Sequence, residues 1–480
     1  MSIYRNHLPI MGASGQSTGY TIDQSIRFDR ASNTSGGYMQ RNFGSAGDRT
    51  SWTWSCWFKL GELNSFTAAS NLYYQFFACD NATNDANRGS FHIIADSGVE
   101  SAIRFQFQAH STTFMRTTRQ FRDPSAWYHL VLVWDSDHAV ANDRARLYIN
   151  GTRETNFAAI SNPSAGQEIG INLGEIHRLG ISYNISGSAV NYPFDGYMAD
   201  IHFLDGYSYG PEYFGESDEY DIWIPKEYTG SYGSNGFKID GRDSSDLGDD
   251  ESGNGNDFST TNMVASDQLP DSPTHNFATY NPISGNDTYA TSGISNGNLE
   301  FAGGGSSLKV NGLTIDNNML DGYKWYFEIC LTGSSFNTTI GFRNADNGDD
   351  TPSIEVESDG QIKKDSGNSG SATGGFSAGD IFGIRLDWSN TSSRKISFYK
   401  NNSIITGQQT FSDSDTNNGF MFYSRESGSG VHNLNCGQNG TFNGNKTAQG
   451  NSDANGIGNF YYAVPSGHFA ISHKSLSLIS

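Results

Sequence analysis

The chain has 480 residues, room for two to four domains, with 35% hydrophobic residues, 13% aromatic residues and 56 glycines. That mix suits many short strands joined by polar Gly/Asn/Ser/Asp turns around cores of large rings, and it excludes both a protein of long helices and a disordered chain. Asp and Glu number 51 against 30 Lys and Arg, for a formal charge of -21, and basic residues are not clustered, which excludes nucleic acid and anionic membranes as partners.

Residues 1–20 are polar and Gly/Ser-rich after a short apolar patch, Leu8 to Met11. They are too few for a core and are expected to form a docking arm or a disordered leader. No charged segment is followed by an apolar run, so a classical export signal is not expected. No run of about 18 apolar residues is present, so a membrane-spanning helix is not expected.

From Tyr20 strands follow quickly: SIRFDR, GYMQRNF and SWTWSCWFKLG. In the last of these Trp52, Trp54, Cys56 and Phe58 share one face, because side chains alternate along a strand. LYYQFFACD, SFHIIADS and IRFQFQAH read as further strands. WYHLVLVWD, from Trp127, is apolar on both faces, as expected of a strand inside a sandwich or under a covering loop. Its return strand ends in Asn150-Gly151, a favoured hairpin dipeptide. EIHRLGIS and PFDGYMADIHFLDG complete a series of at least eight strands, which points to a two-sheet jelly roll.

Residues 207–290 are the least regular, with islands IWIPKEY and NGFKIDG. From Leu299 a second series begins, including YKWYFEICLTG, TTIGFRN and SIEVESDGQIKKDSG. The hairpin plan of residues 127–153 recurs as IFGIRLDW and RKISFYKNN, with Asn401-Asn402 at the turn. No segment keeps a helical period. The fold class read from these patterns is all-β, with two β-sandwich (jelly-roll) domains joined by an irregular connector. The boundaries are 1–20 arm, 21–240 first sandwich, 241–290 connector and 291–480 second sandwich.

The ordered strings YMQRNF, WTWSCWFK, WYHLVLVWD, RLYINGT, HRLGIS and FDGYMADIHFLDG resemble the laminin G-like, concanavalin A-type jelly roll over about residues 20–210. KWYFEI, IGF, SDGQI, AGDIFGIRLDW, ISFYKNN and LNCGQN resemble a SPRY-type sandwich over roughly 290–470. WIPKEYTGSYGSNGF, DESGNGNDF and DSPTHNFATYNP resemble a connector in virion proteins of marine tailed bacteriophages. These resemblances imply a non-enzymatic structural virion protein, assembled in the host cytoplasm, and most specifically a tail fibre or appendage that binds a host-surface glycan through sandwich loops. They imply other virion proteins as partners, a virion anchor in residues 1–20, and a homo-oligomer, by analogy a trimer. A capsid decoration protein and a concanavalin A-like glycan-degrading enzyme are the alternatives.

For a glycan-degrading reaction two carboxyls must flank the scissile bond. Glu355 and Glu357 share a strand face, but the third acid of the Glu-x-Asp-x-x-Glu pattern is missing, and GESDEYD sits beside turns. No catalytic residue is assigned. The acid-rich loop from Asp240 to Asp257 and FSDSDTNNGF miss the spacing of a calcium loop and read as turns. No cofactor or metal ligand is assigned, although relatives of the first sandwich bind calcium at a sheet edge and one calcium ion is compatible with the resemblance. His92, His110, His129, His177 and His202 fall in strands without metal spacing and read as internally satisfied. Cys56, Cys79, Cys330 and Cys436 read as buried free thiols, with a Cys56–Cys79 bridge as the alternative. Tyr207, Tyr209, Tyr213 and Tyr232, beside Gly and acids, are the candidate glycan-binding rings, against the plainer reading that they pin a loop to the core.

Overall fold

The computed structural model describes residues 19–479 except 62–70, 80–87, 97–102, 110–111, 185–188, 283–292, 304–308, 313–320, 345–352, 366, 369–373, 391, 406–408 and 412–419. The chain forms two compact units, one closing at Thr274 and the other running from His275 with Pro124–Ala126. Both are sandwiches of antiparallel strands, save that Phe469–Ala470 in the second pairs parallel to Lys324–Gly333.

In the first unit one eight-stranded sheet runs Thr152–Arg153, Ala145–Ile149, Tyr128–Asp135, Ser51–Leu60, Gly196–Asp205, Ser25–Phe28 and Gln268–Leu269, with Phe237–Ile239 also on Gly196–Asp205. The facing sheet runs Phe157–Ile160, Thr112–Thr117, Ile103–Ala109, Gly89–Ala95, Leu72–Cys79, Ile176–Leu179, Tyr38–Asn42 and Ser259–Thr261. Trp52, Trp54, Cys56 and Phe58 all point inward, as their alternation predicts, and meet Phe76, Phe91 and Phe107 from the other sheet. Rings replace aliphatics here because each buries roughly 150–250 Å². The stretch 241–274, expected as connector, instead supplies edge strands to both sheets: Gln268 pairs with Ile26, and Thr260 with Met39.

The second unit packs a nine-stranded sheet, centred on Lys324–Gly333 and Ile381–Asp387, against a six-stranded sheet centred on Thr338–Asn344. The twin hairpins are alike in detail. Asn150 and Gly151 have φ of 48° and 72°, and Asn401 and Asn402 have 50° and 62°, the left-handed pair that a tight hairpin turn needs. Each leading Asn also reaches back to the strand start: Asn150 Oδ1 accepts from His129 N at 2.7 Å, and Asn401 Oδ1 from Ile381 N at 2.9 Å.

One expectation needs adjustment. A seven-residue helix, His473–Ile479, closes the described chain; HKSLSLI is too short for a helical period to register. The four cysteines are buried thiols, as expected, and the alternative Cys56–Cys79 bridge is not formed.

Candidate functional site

The outer face of the first sheet is buried. Thr53, Ser55, Trp57 and Lys59 project from Ser51–Leu60, and His129, Val131 and Val133 from the neighbouring strand, yet none reaches solvent appreciably. The cover is the chain after Asp205. Tyr207, Tyr209, Phe214, Tyr228 and Tyr232 pack on Val131, Val133 and Leu204, and Thr53 Oγ1 donates to Tyr207 O at 2.8 Å while accepting from Tyr209 N at 2.9 Å.

The structure thus brings three of the four candidate rings together. Tyr207 and Tyr209 lie 5.4 Å apart, and Tyr209 and Tyr213 stack at 4.2 Å and 8°. Tyr213 is 42% exposed. Tyr232 is separate and interior: its hydroxyl meets His202 Nδ1 at 2.9 Å and its ring stacks on that imidazole. Tyr207, Tyr209 and Tyr232 therefore pin the covering loop to the sheet.

Beneath the cover lie two polar constellations. Asp200 sits at φ 49° in an irregularity of its strand, with Tyr20 Oη and His202 Nε2 each 3.0 Å from its carboxylate and Lys238 Nζ at 3.6 Å. Burial opposes its charge, but the His202 and Lys238 charges and the Tyr20 hydroxyl outweigh that and hold the carboxyl at about 2. Nearby, Ser55 Oγ lies 2.8 Å from His129 Nε2, resembling a nucleophile and its base. Trp223 Nε1 donates to His129 Nδ1 at 2.9 Å, however. An indole only donates, so Nδ1 is the acceptor, the ring proton sits on Nε2, and His129 donates to Ser55. Burial holds the imidazole near 3, so this neutral tautomer is the physiological one.

The acids are spent on the fold. Glu355 accepts from the Tyr423 hydroxyl, and Glu357 pairs with Lys363 at 2.5 Å. Asp250 accepts from the backbone N–H of Lys238, Ser252 and Asn256, and Asp243 from Ser245 N, each at 2.8–2.9 Å. Among the described residues no group of three or more His, Cys, Asp or Glu is placed to hold a metal. FSDSDTNNGF lies almost wholly outside the described residues.

The outer face of the second sheet is different. Its outward positions form a polar row across four strands, Gln75 opposite His92, His92 opposite Gln106, and Gln106 opposite Arg116. Arg116 Nε donates to Gln106 Oε1 at 2.6 Å, and Gln106 Nε2 to Gln108 Oε1 at 2.8 Å, which fixes that end. At the other end opens a pocket of about 220 Å³ lined by Tyr73, Gln75, Arg88, His92, Tyr183 and Tyr192, among others. Tyr192 is tied to its rim, with Gln75 N donating to Tyr192 O at 3.2 Å and the Tyr73 and Tyr192 rings 4.8 Å apart.

At the floor of this pocket the bonding is incomplete. Both ring nitrogens of His92 and Oε1 of Gln75 are buried without a hydrogen-bond partner among the described residues, and the two residues are 0% and 3% exposed. Buried polar atoms are nearly always paired, so an unpaired set on a pocket floor points outward to a ligand. Burial, followed by the Arg116 and Arg88 charges, lowers His92 to about 3, leaving a neutral ring with one donor and one acceptor.

This corrects the reading of His92 as internally satisfied. The reading holds for His177, whose Nε2 accepts from Asn172 N at 3.0 Å, and for His129; His110 is outside the described residues. The sequence signal for the pocket was the alternation of Arg104, Gln106 and Gln108 in IRFQFQAH, with Gln75 and His92 as polar residues inside the apolar runs of LYYQFFACD and SFHIIADS. The register that aligns them was not legible, because it includes a shift between Gln75 and Phe77.

A family model described as the concanavalin A-like lectin/glucanases superfamily matches residues 33–207, the stretch that carries this pocket. Among solved structures, the native heptameric SAP-like pentraxin from Limulus polyphemus is 14% identical, with 39% of this chain and 78% of that one covered and a TM-score of 0.27. The SPRY domain of human HERC1 is 14% identical, covering 28% and 87%, with a TM-score of 0.23. The enzymatically active domain of tailspike protein 2 of bacteriophage CBA120 is 13% identical, covering 38% and 25%, with a TM-score of 0.25. No curated protein sequence matches the chain.

Proposed function

We propose that this chain is a non-enzymatic carbohydrate-binding protein and that its ligand enters the pocket over Gln75 and His92. The observation that carries the reading is the set of unpaired polar atoms on the pocket floor. A neutral imidazole can donate to one hydroxyl and accept from the next, and Gln75 Oε1 accepts from a third, while tyrosine walls suit the C–H faces of a sugar. The volume is below the roughly 300–1,000 Å³ of drug-sized sites, which suits one sugar unit. Such a site binds weakly alone and gains strength from copies on one particle.

The setting proposed is a virion of a tailed bacteriophage, the chain being a tail fibre or appendage that attaches to host-surface glycan. The connector strings support that setting. The phenolic ladder of Tyr207, Tyr209 and Tyr213 becomes a support of the covering loop in this reading.

Glycan-array screening followed by calorimetry tests the reading. Gln75→Ala and His92→Phe are each expected to weaken binding roughly 10- to 100-fold, the cost of a lost buried hydrogen bond, without lowering thermal stability. Wild-type affinity should be level from pH 5 to 8, because His92 stays neutral throughout. Unchanged affinity in both variants would place the ligand elsewhere.

A further inference from the structure

Beside the pocket lies a cation with no ion-pair partner among the described residues. Arg178 is 7% exposed, and its Nε and Nη1 have no hydrogen-bond partner among the described residues. Its guanidinium lies over the ring of Tyr183, a pocket wall, 4.9 Å from the ring centre. Arg178 is opposite Ala78, and Ala78 is opposite Ser90, which lines the pocket; Gln75 opposes His92 on the same two strands. Strands lie about 4.8 Å apart, so an arginine side chain spans from that position to the pocket's edge.

Several other buried or half-buried cations of this unit have acid partners. Arg27 has Asp267 at 2.8 Å, Lys59 has Asp271 at 2.9 Å, and Arg104 and Arg116 share Asp96. Acids are in excess along the chain, 51 against 30 bases, so shortage does not explain the gap beside Arg178. A buried guanidinium left unpaired costs the fold several kcal/mol, which a bound oxyanion would offset through charge-assisted hydrogen bonds. Arg88, also in the pocket lining, adds positive potential.

We infer that the pocket takes an anionic sugar residue, its carboxylate or sulfate group received by Arg178 beside Tyr183 while Gln75 and His92 hold ring hydroxyls. The inference rests on the carbohydrate reading and narrows it to acidic glycans. The test is calorimetry of the full chain with three probes: a neutral hexose oligosaccharide, a uronic acid oligosaccharide and a sulfated oligosaccharide, at low and high salt. At least one acidic probe is expected to bind about 10- to 100-fold more tightly than the neutral one, with the preference shrinking as salt rises. Which acidic probe binds identifies the anion.

Arg178→Met is expected to abolish the preference while leaving thermal stability equal or higher, because the variant removes a buried charge that the fold itself does not pair. A merely structural arginine would instead lower stability when replaced. Equal binding of neutral and acidic probes would overturn the inference and leave the carbohydrate reading standing. Binding of no probe would overturn both.

Discussion

Asp271→Ala is expected to destabilise the first unit by about 3–5 kcal/mol, the cost of leaving a buried charge without its partner. Lys59 and Asp271 are both 0% exposed, with Nζ and Oδ2 2.9 Å apart. Trp127 Nε1 donates to the other carboxylate oxygen at 3.2 Å, and Ser25 Oγ donates to the Asp271 carbonyl at 2.5 Å. Without the carboxylate, the buried Lys59 ammonium would lose this ion pair, with the Tyr197 ring 5.8 Å away. For a unit of this size the loss corresponds to a fall of roughly 10 °C in Tm. The double variant Lys59→Met, Asp271→Leu should recover most of it, since two apolar groups of similar volume need no partner. Urea unfolding of the three proteins measures this directly. A loss below about 1 kcal/mol in Asp271→Ala would mean that the ammonium finds water or another acid.

Acid should unfold the same unit well above the range in which carboxylates alone titrate. His92, His129 and His177 are all held at about 3, with burial the largest cause for each. In the unfolded chain each takes a proton near pH 6.5, whereas in the folded chain it does not until about pH 3. The unfolded state therefore binds more protons between those values, and stability falls as pH drops through the window. Each histidine contributes up to about 1.4 kcal/mol per pH unit, so three contribute up to about 4. Asp200, held at about 2, adds a further loss below its ordinary range near 3.8. Unfolding free energy followed from pH 7.5 to 4 should fall steeply below pH 6, and less so in His92→Phe. A level profile between pH 7.5 and 5 would show that these rings take up protons while folded.

The parts of this architecture that were legible in the sequence are those that local chemistry decides. Alternation placed Trp52, Trp54, Cys56 and Phe58 on one face, and turn chemistry placed Asn150-Gly151 and Asn401-Asn402 at matching hairpin ends. The doubly apolar strand after Trp127 announced a covered outer face, and the loop from Tyr207 to Tyr232 provides the cover. The DSPTHNF string, noticed as a connector, is in part a clasp: Asp271 pairs with Lys59, Ser272 Oγ donates to Ile22 O, and Thr274 Oγ1 accepts from Ile22 N. That role depends on partners more than 200 residues away, which no local pattern encodes. The pocket was hidden for the same reason. Gln75, His92 and Arg178 are ordinary outward strand residues until cross-strand register sets them around one opening.

The most direct test of the carbohydrate site is the ring-nitrogen spectrum of His92 in the full chain labelled with ¹⁵N-histidine, recorded while an oligosaccharide found to bind is titrated in. A neutral imidazole that gains partners at both nitrogens should shift at both, in step with saturation, while His129 and His202 under the tyrosine cover stay unchanged. A saturating ligand that leaves His92 unmoved, or that moves His202 beneath the Tyr207 to Tyr232 loop instead, would contradict the assignment of this pocket.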